Sequence, residues 1–177
     1  MIGDGVHALL RRALGTEDPT LVSQVREHFA PAYDRHVVRQ TRLYEGLQPV
    51  LTKLGDDGLV LAVATNKPAR WTRQIIEALD LSRYLAAHAS SDEVPHRKPD
   101  PAVLRLALER AHADPTTTVY VGDLPVDVAT ARAHGCPVIG AGWGFSRRAL
   151  ADAQPDVLID DPADLPSVLE RLIAQAD

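Results

Sequence analysis

The sequence predicts an α/β fold, a doubly wound parallel (Rossmann-like) sheet preceded by a helical N-terminal piece. Three observations carry that expectation. Leu59-Val60-Leu61-Ala62-Val63-Ala64 is a continuous apolar run, the pattern of a strand covered on both faces. Four further short apolar segments follow it, separated by stretches of helical periodicity, and such alternation implies parallel strands joined by helical crossovers. Before residue 58 the spacing is helical, with no strand-like alternation.

Taken in chain order, Val6, Leu9, Leu10, Ala13 and Leu14 recur at helical spacing, and Gly15 supplies a stop. Asp18-Pro19 predicts a second helix, with Asp18 as N-cap and Pro19 at the first helical position. That helix carries Leu21, Val22, Val25, Phe29 and Tyr33 towards one side. Tyr44-Glu45-Gly46 marks a turn, and Gln48-Pro49 opens another helix through Leu54. Strands are then expected at 59–64, 86–90, 118–121, 138–141 and 157–159. Helices are expected at 69–79, 101–112, 126–134, 146–153 and 163–175, with Asp100-Pro101 opening one and His134-Gly135 closing another.

A length of 177 residues suits one domain, or one domain with a small accessory lobe. Hydrophobic residues at 45% and charged residues at 24% exclude a disordered tail, a collagen-like repeat and a low-complexity linker. A net charge of −5 argues against a general nucleic-acid binder, while leaving room for a local basic pocket. One cysteine, Cys136, cannot build a disulfide framework, so a reducing compartment is expected. No apolar stretch approaches the ~20 residues of a membrane helix, and Met1-Ile2-Gly3-Asp4-Gly5 lacks the pattern of a signal peptide. The expectation is a cytoplasmic protein with neither nucleic acid nor membrane as partner; the oligomeric state stays open.

In open parallel sheets, ligands bind beyond the carboxyl ends of the strands. The run 59–64 ends in Thr65-Asn66-Lys67-Pro68, and the run 118–121 ends in Gly122-Asp123-Leu124-Pro125-Val126-Asp127. Arg97-Lys98-Pro99-Asp100-Pro101 precedes a helix between them. A hydroxyl, a lysine and two carboxylates at one sheet edge suit phosphoryl chemistry, in which charged oxygens need donors, a fixed cation and a hard metal held by carboxylates. Thr65 would donate to a phosphate oxygen beside the amides of a helix start, and Lys98 would supply a point charge. Asp123 and Asp127, four apart across a turn into a helix, can face one ion, and all-oxygen ligands favour Mg²⁺.

Singly, each feature has a plain structural explanation: a Thr at a helix start, a Gly-Asp turn, a solvated Lys-Pro loop. Their order along the chain, each at a strand end, does not. Elsewhere the sequence is less informative. The seven histidines show no metal-ligand spacing, although His96 adjoins Arg97-Lys98 and could meet substrate. Arg11-Arg12 reads as a solvated helix face, or as an anion contact if that helix covers the site. Cys136 is expected to pack at a strand start. Asp152, Asp156, Asp160, Asp161 and Asp164 read as a solvated acidic surface, with Asp164 near a helix N-terminus.

These segments resemble the haloacid-dehalogenase superfamily of Asp-nucleophile phosphatases, most closely its phosphoglycolate phosphatase-like branch. The matching stretches are Val63-Ala64-Thr65-Asn66-Lys67-Pro68, Arg97-Lys98-Pro99-Asp100-Pro101, Val119-Tyr120-Val121-Gly122-Asp123 through Asp127, and Ala141-Gly142-Trp143-Gly144. The resemblance implies a Mg²⁺-dependent phosphomonoesterase acting on a small phosphorylated metabolite such as 2-phosphoglycolate, through an aspartyl-phosphate. It implies that Thr65 holds the transferring phosphoryl group, that Asn66 is a backbone donor and loop former, and that Lys98 neutralises charge. Asp123 resembles a direct metal ligand, and Asp127 a second ligand or a partner through water. Trp143 and Gly144 would line the substrate entrance or pack. By the same resemblance 1–47 is a partial helical cap and 48–177 the α/β core.

One part of the family pattern is missing. Its nucleophile sits in an Asp-x-Asp-Gly-Thr motif after the first, central strand, and no such motif occurs in this chain. Asp4-Gly5 is not a substitute, because no strand precedes it and Val6 stands where the second Asp would be. The absent strand, loop and one or two helices amount to roughly 30–50 residues. A misplaced start, a shortened chain and a nucleophile-lacking relative are the three explanations; the retention of Thr65, Lys98, Asp123 and Asp127 together favours the first two. The chain alone is therefore expected to be inactive and poorly stable, with a gap of roughly 10 Å or a collapsed pairing between 59–64 and 118–121, or a partner segment filling the gap.

Competing readings remain within the superfamily (a sugar-phosphate phosphatase, a pyrophosphatase or a phosphomutase), while dehalogenation would have no use for a metal-binding pair. A regulatory or phosphate-binding module without catalysis is the main alternative outside enzymes. A response-regulator receiver domain combines similar residues in a different chain order.

Overall fold

A computed structural model describes residue 3 and residues 5–174. Asp4 lies outside the described residues. The chain opens with α1 (Val6–Leu14), which ends where Gly15 adopts φ 62°, the left-handed conformation that closes helices. α2 (Pro19–Asp34) starts as its sequence predicts: the Asp18 carboxylate accepts the Thr20 N–H at 2.9 Å, and Pro19 fills the first helical position. α3 (Leu47–Asp56) follows Gly46 and leads into the sheet region.

The strands are β1 (Leu61–Thr65), β2 (Leu85–Ser90), β3 (Tyr120–Gly122), β4 (Val138–Ala141) and β5 (Val157–Ile159). Between and after them run α4 (Ala69–Ala78), α5 (Ala102–Ala111), α6 (Pro125–His134), α7 (Arg147–Asp152) and α8 (Leu165–Ile173). All pairings are parallel: Ala62 opposite Ala87 and Thr65 opposite Ser90 in one block, Val121 opposite Ile139 and Gly140 opposite Leu158 in the other. The alternation of apolar runs and helices in the sequence therefore translates directly into a parallel α/β architecture.

Helices cover both faces. Leu104 and Leu108 of α5, Val128 and Ala131 of α6 and Leu150 of α7 pack on one face against Tyr120 and Val138. Val50 and Leu54 of α3 with Leu165, Val168 and Leu169 of α8 pack on the other against Ile139 and Ile159. Among the described residues the strands form two separate blocks, β1-β2 and β3-β4-β5, with no ladder between β1 and β3. A space of about 810 Å³ separates them, bordered by Val63 and Val121 at its edges, Leu104 and Leu108 on one face and Leu165 and Leu169 on the other.

Candidate active site

The loop after β1 is built from local hydrogen bonds. The Thr65 hydroxyl oxygen accepts the Lys67 N–H at 3.1 Å, which folds the chain back at the strand end. Asn66, buried in this loop, spans to the segment holding Lys98. Its amide donates to the Gly3 carbonyl at 2.7 Å and the Lys98 carbonyl at 3.2 Å, and its Oδ1 accepts the Lys98 N–H at 2.9 Å. Three segments distant in sequence are thereby locked by one side chain. The sequence reading gave Asn66 a backbone role; the structure shows a side-chain clamp.

Lys98 lies at the centre. Its Nζ donates to Asp127 Oδ1 at 2.7 Å, Tyr120 Oη at 3.0 Å and the Ala64 carbonyl at 3.2 Å. The Lys98 and Asp127 side chains are 9% and 6% exposed, so this ion pair is shielded from water and salt. Burial pulls the Lys98 ammonium down, but the charges of Tyr120 and Asp127 and the hydrogen bonds to them leave its pKa raised. Burial pushes the Tyr120 phenol up to about 12 despite the nearby ammonium. At neutral pH the cluster therefore holds an ammonium and a neutral phenol.

Asp127 occupies the first turn of α6. Its second oxygen accepts the N–H of Asp123 at 3.2 Å and of Leu124 at 3.0 Å, satisfying donors that a helix start leaves orphaned. Asp127 was expected to face the same ion as Asp123, as a ligand or through water. In the structure its two oxygens hold Lys98 and the 123–124 turn. Asp123 accepts the Phe145 N–H at 3.1 Å, and its charge adds to burial in raising the Tyr44 phenol. Close approach explains two glycines: a Cβ on Gly122 would overlap Asp127, and one on Gly144 would overlap Asp123.

The structure thus brings Thr65, Asn66, Lys98, Asp123 and Asp127 to one end of the sheet. Tyr120, missed by the sequence reading, ties this cluster together, since its hydroxyl also donates to the Ala64 carbonyl at 3.3 Å. A tyrosine inside an apolar strand reads as packing, and no sequence signal marked it. Trp143 packs against the β4–β5 side and borders the space between the sheet blocks. His96 is exposed on its loop. Arg11 pairs with Glu17 and, with Arg12, borders a separate groove at the far end of α1.

The helical segment meets the same loop. Lys67 Nζ donates to Tyr33 Oη at 2.9 Å, Trp71 Nε1 donates to Asp34, and the Tyr33 and Trp71 rings lie edge to face at 4.6 Å. Between α1, α2 and this loop lies a cavity of about 790 Å³ bordered by His7, Arg26, Asn66, Arg70, Trp71 and Arg97. Among the described residues no three His, Cys, Asp or Glu side chains form a ready metal cage. Mg²⁺ does not require one, since it is commonly held by one or two carboxylates with waters and substrate phosphate. Asp123 fits that role.

Residues 3–141 match the model of the haloacid dehalogenase-like hydrolases. The chain is a member of that family. A phosphoglycolate phosphatase of Agrobacterium fabrum is 31% identical to this hydrolase over 99% of its chain and 77% of the relative's. The phosphoglycolate phosphatase of Yersinia pestis is 34% identical over 93% of this chain and 73% of its own. Among solved structures, a predicted phosphoglycolate phosphatase from Haemophilus somnus superposes with a TM-score of 0.80 at 26% identity, covering 94% of this chain and 78% of the other. The family and branch expected from the motifs are those found, and a phosphatase is the class of enzyme to which this hydrolase belongs. No helix among the described residues is long and apolar enough to cross a membrane.

Proposed function

We propose that this chain is the phosphate-handling part of a Mg²⁺-dependent phosphomonoesterase acting on a small carboxylated phosphoester, with 2-phosphoglycolate the leading substrate. The observation that carries the reading is the shielded Lys98–Asp127–Tyr120 cluster between the two strand ends. Burying an ammonium costs stability even when a carboxylate pairs with it, and a fixed cation at the strand ends is what a transferring phosphoryl group requires. Residues 1–47 serve as a partial helical cap and 48–177 as the α/β core. Asn66 and Asp127 are positioning residues that set Lys98 and the 123–124 turn.

In this reading Thr65 donates to a phosphoryl oxygen and Lys98 neutralises charge that develops during transfer. Asp123 would hold Mg²⁺, which supplies Lewis-acid neutralisation of phosphoryl charge when bound. Covalent transfer to an aspartate requires a carboxylate at the cleft that an Asp-x-Asp-Gly-Thr segment would contribute, so the 177-residue chain is expected to bind phosphate without turnover.

The test has two arms. Calorimetry with inorganic phosphate and Mg²⁺ should show binding that Asp123→Asn uncouples from Mg²⁺. Fusing a strand bearing Asp-x-Asp-Gly-Thr ahead of residue 5 should create phosphate release from 2-phosphoglycolate, and Lys98→Ala should then lower it by about 10²-fold or more. Robust turnover by the 177-residue chain, or a fused form whose activity ignores Asp123→Asn at limiting Mg²⁺, would overturn the assignment.

A further inference from the structure

We propose that Lys67 is a positioning residue that couples α2 to the loop after β1: its backbone aims the Thr65 hydroxyl while its side chain holds Tyr33, so that an anion at Thr65 and the docking of α2 reinforce each other. The inference deepens the phosphatase reading and rests on it, since it takes Thr65 as the residue that meets a phosphoryl oxygen.

The first support is what Lys67 does to Thr65. A hydroxyl carries one proton to donate and lone pairs to accept with. The Lys67 N–H occupies the accepting side of Thr65 Oγ at 3.1 Å, which turns the hydroxyl proton away from the loop. Among the described residues no protein acceptor takes that proton, so it stays available to an anion at the strand end.

The second support is the other end of the same residue. Lys67 Nζ donates to Tyr33 Oη at 2.9 Å and lies 5.1 Å from the centre of that ring. Among the described residues no carboxylate joins it, so the ammonium is fixed in place without its charge being cancelled. Tyr33 is itself firmly held. It stacks on Phe29, one turn earlier in α2, with ring centres 5.4 Å apart, and meets Trp71 of α4 edge to face at 4.6 Å. Trp71 is 3% exposed, its indole N–H donates to Asp34, and Arg70 pairs with the same carboxylate at 3.4 Å. The aromatic ring pairs among the described residues all lie at this one contact.

The third support is adjacency. Only residues 66–68 separate β1 from α4, and α2 is seated on the first turn of α4. Asn66 ties this short loop to Gly3 and Lys98, and Lys67 ties it to Tyr33. Moving α2 away pulls on Lys67, and with it on the N–H that orients Thr65. Such coupling is reciprocal: whatever factor docking adds to anion affinity, the anion adds to docking.

The experiment uses the 177-residue chain with inorganic phosphate and Mg²⁺. Calorimetry reads anion affinity. Hydrogen exchange of the Trp71 indole N–H by NMR, identified by its survival in a Trp143→Phe variant, reads the docking of α2. Phosphate should slow that exchange by about five-fold or more, and Tyr33→Phe, which keeps the ring and removes only the hydroxyl, should weaken phosphate binding by a similar factor. Lys67→Met should weaken it at least as much, and the double variant no more than Lys67→Met alone, because both substitutions cut one link. A role in packing alone would lower Tm and leave phosphate affinity unchanged, and a Lys67 acting only as a point charge would leave Tyr33→Phe with full affinity; either result overturns the proposal. So does an indole N–H whose exchange ignores bound phosphate. Binding that is lost in Thr65→Ala but untouched by Tyr33→Phe removes the coupling and leaves the phosphatase reading standing. A chain that binds no phosphate at all overturns both.

Discussion

β1 and β4 have nearly the same kind of sequence, Leu-Ala-Val-Ala-Thr against Val-Ile-Gly-Ala, yet they live in different environments. Every residue of β4 is buried, with Ile139 at 0% exposure. None of β1 is, and Val60 just before it is 56% exposed. The difference is not composition. Among the described residues β4 has a strand on each side and a helical layer on each face, while β1 has a strand on one side only. Burial of an apolar strand is thus a property of its neighbours, and an apolar run in sequence states a demand that the rest of the chain has to meet.

Lys98→Met is the largest expected perturbation, because it leaves the Asp127 carboxylate buried without its cation. Breaking such a pair from one side costs about 3–5 kcal/mol, whereas the double variant Lys98→Met/Asp127→Asn should regain part of that loss. Urea denaturation of the single and double variants measures the coupling. A single variant as stable as the wild type would mean that the two sheet blocks are not joined through this cluster.

Next in size is a matched pair of truncations. Ile139→Ala in β4 should cost about 2–5 kcal/mol, since its cavity is closed in on all sides. Val63→Ala in β1 should cost clearly less, because the residue is only partly buried beside an open space. Equal losses by denaturation would show that the open side of β1 is filled in solution.

The smallest effect is a pH dependence. Lys98 has a raised pKa in the folded state, so its contribution is fully present below the ordinary lysine value and lost as pH rises through the raised one. Tyr120 has the same sign: its neutral form is favoured, and stability falls as pH climbs from the usual 10.0 towards about 12. Stability attributable to the cluster should therefore be flat across neutral pH and decline only in alkali. Near-ultraviolet titration of Tyr120 against the denatured chain checks the direction; ionisation at the ordinary tyrosine value would contradict the buried placement.

Much of this molecule was legible before any coordinates. Gly15 closes α1, Asp18 caps α2, and the four later strands fall within two residues of their expected starts. These are local matters, decided by the φ preference of glycine, by a carboxylate over free N–H groups, and by unbroken apolar runs. The positions of Thr65, Lys98 and Asp123 at one sheet edge were also legible, because a parallel sheet brings successive strand ends together whatever lies between them.

What tertiary structure alone decided is how those groups are engaged. Nothing in the neighbourhood of Asn66 announces that its amide ties Gly3 to Lys98, and nothing around Tyr120 announces that its hydroxyl reaches Ala64 on another strand. Asp127 reads as a carboxylate at a helix start by spacing, and nothing in that spacing announces the ammonium and two backbone amides it meets on folding. Sequence determines which elements form and which residues stand at their ends, since those depend on contacts a few residues apart. The partners of a buried polar atom depend on which distant segments happen to pack against it, and the desolvation of that atom forces each one to be found only once the chain has closed.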